Sequence, residues 1–404
     1  MMHRESCACS KSELVLFAMP PTMMTMQESQ WVEFHPVSSL TDSAPIEFEI
    51  KGQPEDYIDL NSSYLYLKLK VMKTQNTAPG ADARVASVNN FMHSLFSEVD
   101  LYLNNNWSAA VGYLPLPSVS RKSLDVRKRG QNTHLDACVA WKSENDGENK
   151  FNNTALTADD DPHNVGFNDR QKTILQGRSL ELMDRLHLDM WLQDKYFLNG
   201  VDIRLRLNPS SAAFHLMANV NKYKTLIQEA RLYVRCVEVL PKEGNGISYT
   251  FSRTTAKYLI LCVEVKTFTI ARGLRSKIED HLFQGQLPKR LIVGIVSNAA
   301  LSGAVTANPF QFTHYAVSKI EASRDGKTLC TRPFEPNFAQ NNYLRSYLSL
   351  YEATGQLGTN TSHGISYDDY PGGYALWAFD FTPDQGSDEG HFHPIKSGQL
   401  RVEL

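Results

Sequence analysis

The chain has 404 residues, with 41 basic and 44 acidic side chains and a formal charge of −3. On a prior of about 150 residues per domain it holds two or three domains and can bury a large core. The near balance of charge argues against a strongly basic, duplex-coating protein, and no stretch approaches the ~18 uninterrupted apolar residues of a membrane-spanning helix.

The apolar run Leu14–Met19 is shorter than a signal-peptide core and follows charged residues, so no cleaved secretion signal is expected. The sequons at Asn61, Asn106, Asn152 and Asn360 then read as chance matches. Of the six cysteines only Cys7 and Cys9 are close, and C-x-C alone falls short of a four-ligand zinc set. A reducing compartment fits, with Cys138, Cys236, Cys262 and Cys330 as buried or idle thiols. Residues 1–45 read as an extended arm outside any core. Within it Trp31, Phe34 and His35 are candidate inter-subunit contacts, because an arm without a core needs a neighbouring surface.

Strand signals dominate the chain beyond the arm. From Tyr64 to Val71, Leu65, Leu67, Leu69 and Val71 face one way and Tyr66, Lys68 and Lys70 the other, which is the strand period. Val99, Leu101 and Leu103 alternate within Glu98–Leu103. The segment SRKSLDVRKRG carries Arg121, Lys122, Arg127, Lys128 and Arg129, a basic patch that reads as a solvated loop, a nuclear-import signal, or a contact to nucleic acid or an acidic neighbour. The polar stretch from 142 to 172, with Asp159, Asp160 and Asp161, reads as a long surface excursion without the D-x-D-x-D-G spacing of a calcium loop.

From Arg185 to Leu207 two alternating runs flank Asn199-Gly200, the pair suited to a type I′ turn, which predicts a β-hairpin. Arg231–Leu240 alternates Leu232, Val234 and Cys236 with charged partners. Periodicity stops at Pro241–Thr255 and resumes over Tyr258–Ile270, marking a domain boundary. Leu291–Val296 predicts a strand buried on both faces. One helix is expected at 343–355, with a stripe of Tyr343, Leu344, Tyr347, Leu348 and Tyr351 and Gly355 as terminator. These elements favour an all-β protein of two tandem jelly rolls with few short helices: an arm over 1–45, a first barrel over 46–243 with a surface insertion near 111–172, and a second over 244–404.

No complete catalytic constellation emerges. G-x-S-x-G, the P-loop and G-x-G-x-x-G motifs are all missing from the sequence. His391 and His393 in HFHP offer two metal ligands without a third or fourth in the pattern, so they read as a loop pair. QGQLPKR, Gln284–Arg290, and DDYPGGY, Asp368–Tyr374, read as loop and turn. No catalytic residue, metal or cofactor is therefore expected.

Long blocks resemble a known family in order along the chain. They include KSELVLFAMPPT, QWVEFHPVSSLTDSAPIEFEI, GQPEDYIDLNSSYLYLKLKV, NNFMHSLFSEVDLYLN, RLHLDMWLQDKYFLNGVDIRLRL, AKYLILCVEVKTFTI, NPFQFTHYAV, FEPNFAQNNYLRSYLSLYEATG, DDYPGGYALWAFDFTPD and IKSGQLRVEL. Together they resemble the major capsid proteins of Polinton-type elements and their viral relatives, the adintoviruses, over most of residues 12–404. The resemblance implies two upright jelly rolls, a homotrimer forming a pseudo-hexagonal capsomer, and an icosahedral lattice, with the arm around Pro20 and Pro21 and the loops at the barrel ends as candidate contacts beneath and between capsomers. It also implies minor capsid and vertex proteins as partners, no sequence-specific nucleic-acid binding, and a place in the virion capsid after synthesis in the host cytoplasm and assembly there or in the nucleus.

The chain departs from that pattern at GYLPLPSVSRKSLDVRKRGQ, where an amphipathic helical segment is usual, and at SGQLRVEL, where the family continues into further strands; either the second barrel lacks its last strands or another segment fills the gap. Two other classes stay open on the residues alone. A sugar-binding jelly roll would use Trp107, Trp141 or Trp377 for stacking, although Trp377 alternates as a core residue, and a cupin-type enzyme would place histidines and an acid inside a barrel.

Overall fold

A computed structural model of the protein describes residues 23, 25–41, 44–112, 152, 154, 164–280, 282–283, 285–328, 332–358, 364–387, 391 and 393–404. In chain order the strands are β1 (Met26–Phe34), β2 (Ile46–Ile50), β3 (Asp56–Lys73), β4 (Val85–Ser87), β5 (Phe96–Leu103), β6 (Asn106–Gly112), β7 (Ser179–Asp184) and β8 (Ile203–Pro209). They continue with β9 (Leu216–Ala218), β10 (Tyr223–Val239), β11 (Ile278–Glu279), β12 (Arg290–Gly294), β13 (Glu321–Arg324), β14 (Lys327–Thr328), β15 (Leu376–Asp380) and β16 (Leu400–Glu403).

In the first half two four-stranded sheets, β1-β10-β3-β7 and β2-β8-β5-β6, send their inward residues into one core. The alternation of β3 decides its face: Leu65, Leu67, Leu69 and Val71 are fully buried while Tyr66, Lys68 and Lys70 stay half-buried. β10 runs antiparallel beside it with Leu232 opposite Leu65 and Ile227 opposite Leu69. The facing sheet contributes Ile46, Phe48 and Ile50 from β2, Val99 and Leu101 from β5, and Ile203, Leu205 and Leu207 from β8. Each such side chain contributes roughly 1.5–3 kcal/mol on burial. A second core gathers Ile320, Phe334, Tyr343, Leu350, Tyr370, Trp377, Phe379 and Val402. It is bounded by the sheet β11-β16-β13-β14 and the pair β12-β15, and every ladder between the named strands is antiparallel. Trp377 is buried in this core, as its alternation indicated.

Several expectations are corrected. The hairpin across Arg185–Leu207 does not form: β8 pairs with β2 on one edge and β5 on the other, so both of its ladders are taken. Leu186, Leu188 and Met190 are buried in the first core without being a strand. Only Gly200 of the turn pair adopts a left-handed backbone, at φ 69°, which removes the type I′ reading. The arm is also not wholly outside the barrels, since Met26–Phe34 is the edge strand beside β10, and Val32 and Phe34 pack on the first core.

Within the predicted surface excursion, Val165–Ile174 is a helix capped by Asn164, whose side chain accepts from the Phe167 N–H. Phe167, Arg170, Gln171 and Ile174 are buried there. The Gly-rich boundary begins with a helix, Pro241–Phe251, with proline in its first turn. Tyr258–Ile270 forms no strand despite its period-two pattern and pairs with no ladder among the described residues; side chains of Gln193 and Lys195 bond carbonyls at Leu259 and Lys257, and Val263 N–H donates to Asp189. β12 is half-buried rather than enclosed on both faces, with β15 as its one ladder partner among the described residues. The helix expected at 343–355 is present as Leu344–Ala353, with Gly355 at φ 63° after it. Its buried stripe is Ser346, Ser349, Leu350 and Ala353, while Leu344 faces solvent.

Candidate functional site: assembly surfaces and two histidine–carboxylate clusters

β1 is the terminal strand of its sheet and presents five consecutive exposed residues from Gln27 to Trp31. Trp31 is 51% exposed, and its ring lies over Tyr64 with centroids 5.6 Å apart and planes at 36°. The Arg185 guanidinium stands 5.6 Å from the same Tyr64 ring. Nearby, Arg231 pairs with Glu33 at 3.1 Å and also with Glu229, and His35 lies 3.3 Å from Glu33. The result is an exposed aromatic and charged strip along a strand edge that pairs with no further strand among the described residues, which suits contact with another protein surface. A second exposed apolar segment is Leu259, Ile260 and Leu261. Pro20, Pro21 and the basic patch Arg121, Lys122, Arg127, Lys128 and Arg129 lie outside the described residues, as do Asp159, Asp160 and Asp161.

Two groups of histidines and an acid also converge. His93, on the buried turn Phe91–Ser94, places Nε2 3.1 Å from Asp184 Oδ2 at the end of β7, and its ring lies 4.8 Å from that of His187. In the second half, the loop after β15 brings Asp384, His391 and His393 together. His391 Nε2 is 2.8 Å from Asp384 Oδ2, and His393 Nε2 is 2.7 Å from Asp384 Oδ1. The His391 hydrogen bond holds the Asp384 carboxyl well below the usual carboxylate range. The pair in HFHP therefore does have a third ligand-type neighbour. Sequence reasoning missed it because Asp384 sits seven residues away in a loop whose path no periodicity encodes.

The Asp380 carboxylate organises that loop, accepting from Thr382 N at 2.8 Å, Thr382 Oγ1 at 2.6 Å and Ser387 N at 3.2 Å. The DDYPGGY turn is more buried than its surface reading allowed: Tyr370 is enclosed and donates to Leu376 O at 2.7 Å.

No family model matches the chain. An uncharacterized protein of Caenorhabditis elegans is 22% identical over 403 residues, covering 96% of this chain and 91% of that one. A chain of the cryo-EM structure of the Sputnik virophage superposes with TM-score 0.58 at 10% identity, over 98% of this chain and 86% of its own. The PBCV-1 protein VP54, fitted into a reconstruction of Sputnik, gives 0.52 at 10% identity over 96% and 86% of the two chains. A chain of the PBCV-1 virus capsid gives 0.51 at 11% identity with the same coverage. The fold is a tandem double jelly roll. Both jelly rolls fall inside these superpositions, and no helix of the described residues is long and apolar enough to cross a membrane.

Proposed function

We propose that this chain is a structural major capsid protein of a double-stranded DNA virus or virus-like transposon. In this reading three copies form a pseudo-hexameric capsomer, and capsomers tile an icosahedral shell. The observation that carries it is the whole-chain superposition of a double jelly roll on a Sputnik virophage chain, covering 98% of this chain. The geometry supplies a reason: two similar barrels per chain give a trimer six similar units, which can occupy a six-neighbour lattice position while each barrel closes its own core. The resemblance of the long sequence blocks supports a kinship with the capsid proteins of Polinton-type elements and adintoviruses.

The function then lies in side-to-side surfaces, with the β1 strip around Trp31, Phe34 and His35 as a contact between copies. The arm at Pro20 and Pro21 and the basic patch around Arg127 remain proposed contacts, with minor capsid and vertex proteins as further partners. On this reading the chain is no enzyme and belongs in the virion capsid. Negative-stain imaging of the purified chain tests the proposal: pseudo-hexagonal particles are expected, and uniformly single-chain particles at high concentration contradict it.

A further inference from the structure

We propose that Asp384, His391 and His393 form a site for a divalent transition-metal ion of the zinc class. Their three ligand groups converge on one point: His391 Nε2 and His393 Nε2 are 3.1 Å apart, and each lies 2.7–2.8 Å from an oxygen of the Asp384 carboxylate. For a tetrahedral ion with metal–nitrogen bonds of ~2.0–2.1 Å the ligand atoms stand about 3.3 Å apart, so an ion needs the group to open by roughly half an ångström.

The proton positions make the same point. If both Nε2 atoms carry hydrogen and donate to the carboxylate, two N–H donors abut at 3.1 Å. If one Nε2 is bare, its lone pair faces a carboxylate oxygen instead. Either arrangement leaves one repulsive contact, and a cation among the three groups removes it by accepting all the lone pairs. The ligands are also held in place: Asp384 accepts from Gly386 N at 3.2 Å, and Lys289 Nζ donates to the His391 carbonyl at 3.2 Å. Two imidazoles and a carboxylate suit zinc, nickel or copper over magnesium or calcium. The Asp384 and His391 side chains are 48% and 47% exposed and His393 10%, so the ion has an entry path and at least one coordination position open to water.

The site is independent of the capsid reading, being on a surface loop rather than inside a barrel. The test titrates the full chain, in a non-thiol reductant, with cobalt(II) chloride and then zinc chloride, beside His391→Ala/His393→Ala and Asp384→Asn. The unaltered chain is expected to take up one more equivalent of cobalt than the double variant, with visible d–d absorption that the double variant loses. Zinc affinity should fall at least ~100-fold in the double variant and at least ~10-fold in Asp384→Asn. Equal stoichiometry and affinity in all three would overturn the proposal. The His93–Asp184–His187 cluster is unchanged in every variant, so any ion it binds cancels in the comparison. Should the double variant fail to fold, as judged by circular dichroism, the near-isosteric Asp384→Asn decides on the same readings.

Discussion

Gly52 approaches Val201 so closely that a Cβ on Gly52 would stand 2.5 Å from the Val201 backbone nitrogen and 2.6 Å from the Gly200 carbonyl carbon. The contact joins the end of β2 to the turn that leads into β8. The Gly200 N–H donates to Gln53 O at 3.0 Å, and the Asn199 amide donates to Pro54 O. The Asn-Gly pair thus serves a crossing between distant segments.

Gly52→Ala should accordingly displace backbone, which cannot yield as a flexible side chain does. A loss of roughly 1–3 kcal/mol is expected, read as a lower urea midpoint with unchanged slope. Gly80→Ala, where no atom lies within 4 Å of the added carbon, is the control and should change stability by less than about 0.5 kcal/mol.

His215 should make the first barrel sensitive to acid. Its Nδ1 lies 2.9 Å from Ser210 Oγ and its Nε2 3.0 Å from Thr225 Oγ1, and burial pushes its pKa down from 6.5 to about 3. Because Ser210 Oγ already donates to Ser94 O, His215 Nδ1–H must donate to Ser210, leaving Nε2 to accept from Thr225. The unfolded chain binds a proton near pH 6.5 and the folded one only near 3. This contribution is therefore complete above pH 6.5 and is lost as pH falls toward 3, at up to about 1.4 kcal/mol per pH unit. Urea midpoints from pH 7 to 4 should fall more steeply for the unaltered protein than for His215→Gln; parallel slopes would contradict the assignment.

Arg170 is buried on the helix Val165–Ile174, where its Nε donates to Ser87 O and its Nη1 to Asn89 Oδ1, both at 2.7 Å. Replacing it with Leu removes two charge-assisted bonds and should cost roughly 3 kcal/mol. Arg170→Lys should recover little of this, since an ammonium cannot reproduce the guanidinium fork. Thermal unfolding of the three proteins gives the order.

Trp31→Ala should separate folding from assembly. The ring is half in solvent and outside the core, so monomer stability should change by less than about 1 kcal/mol, while self-association should weaken by roughly 2 kcal/mol or more if the β1 strip is an interface. Deleting Met26–Phe34 should do both kinds of damage, because it strips the ladder from β10 and the contacts of Val32 and Phe34. Sedimentation for assembly and urea titration for stability make the distinction.

The alternating strands were the legible part of the fold. Leu65–Val71, Val99–Leu101 and Leu232–Cys236 carry the burial that their period predicts, because one face of each meets a core. Pattern alone could not reveal partners. Leu186, Leu188 and Met190 are buried outside any strand, and Tyr258–Ile270 alternates yet joins no ladder among the described residues, since strand formation depends on a free neighbouring edge. The helix at Val165–Ile174 lacks an apolar stripe because its polar residues Asn168, Arg170 and Gln171 are buried rather than exposed, with Arg170 bonded to Ser87 O and Asn89 Oδ1 and Gln171 to Ala83 O. The Asp384 cluster was half visible: HFHP marked two ligands, and only the path of the loop supplies the third.

The most direct test of the central claim is the solution mass of the purified full chain by light scattering across a concentration series. The capsid reading predicts a species of three times the chain mass that persists on dilution and grows into larger assemblies as concentration rises. A mass that stays at one chain throughout the series would contradict it.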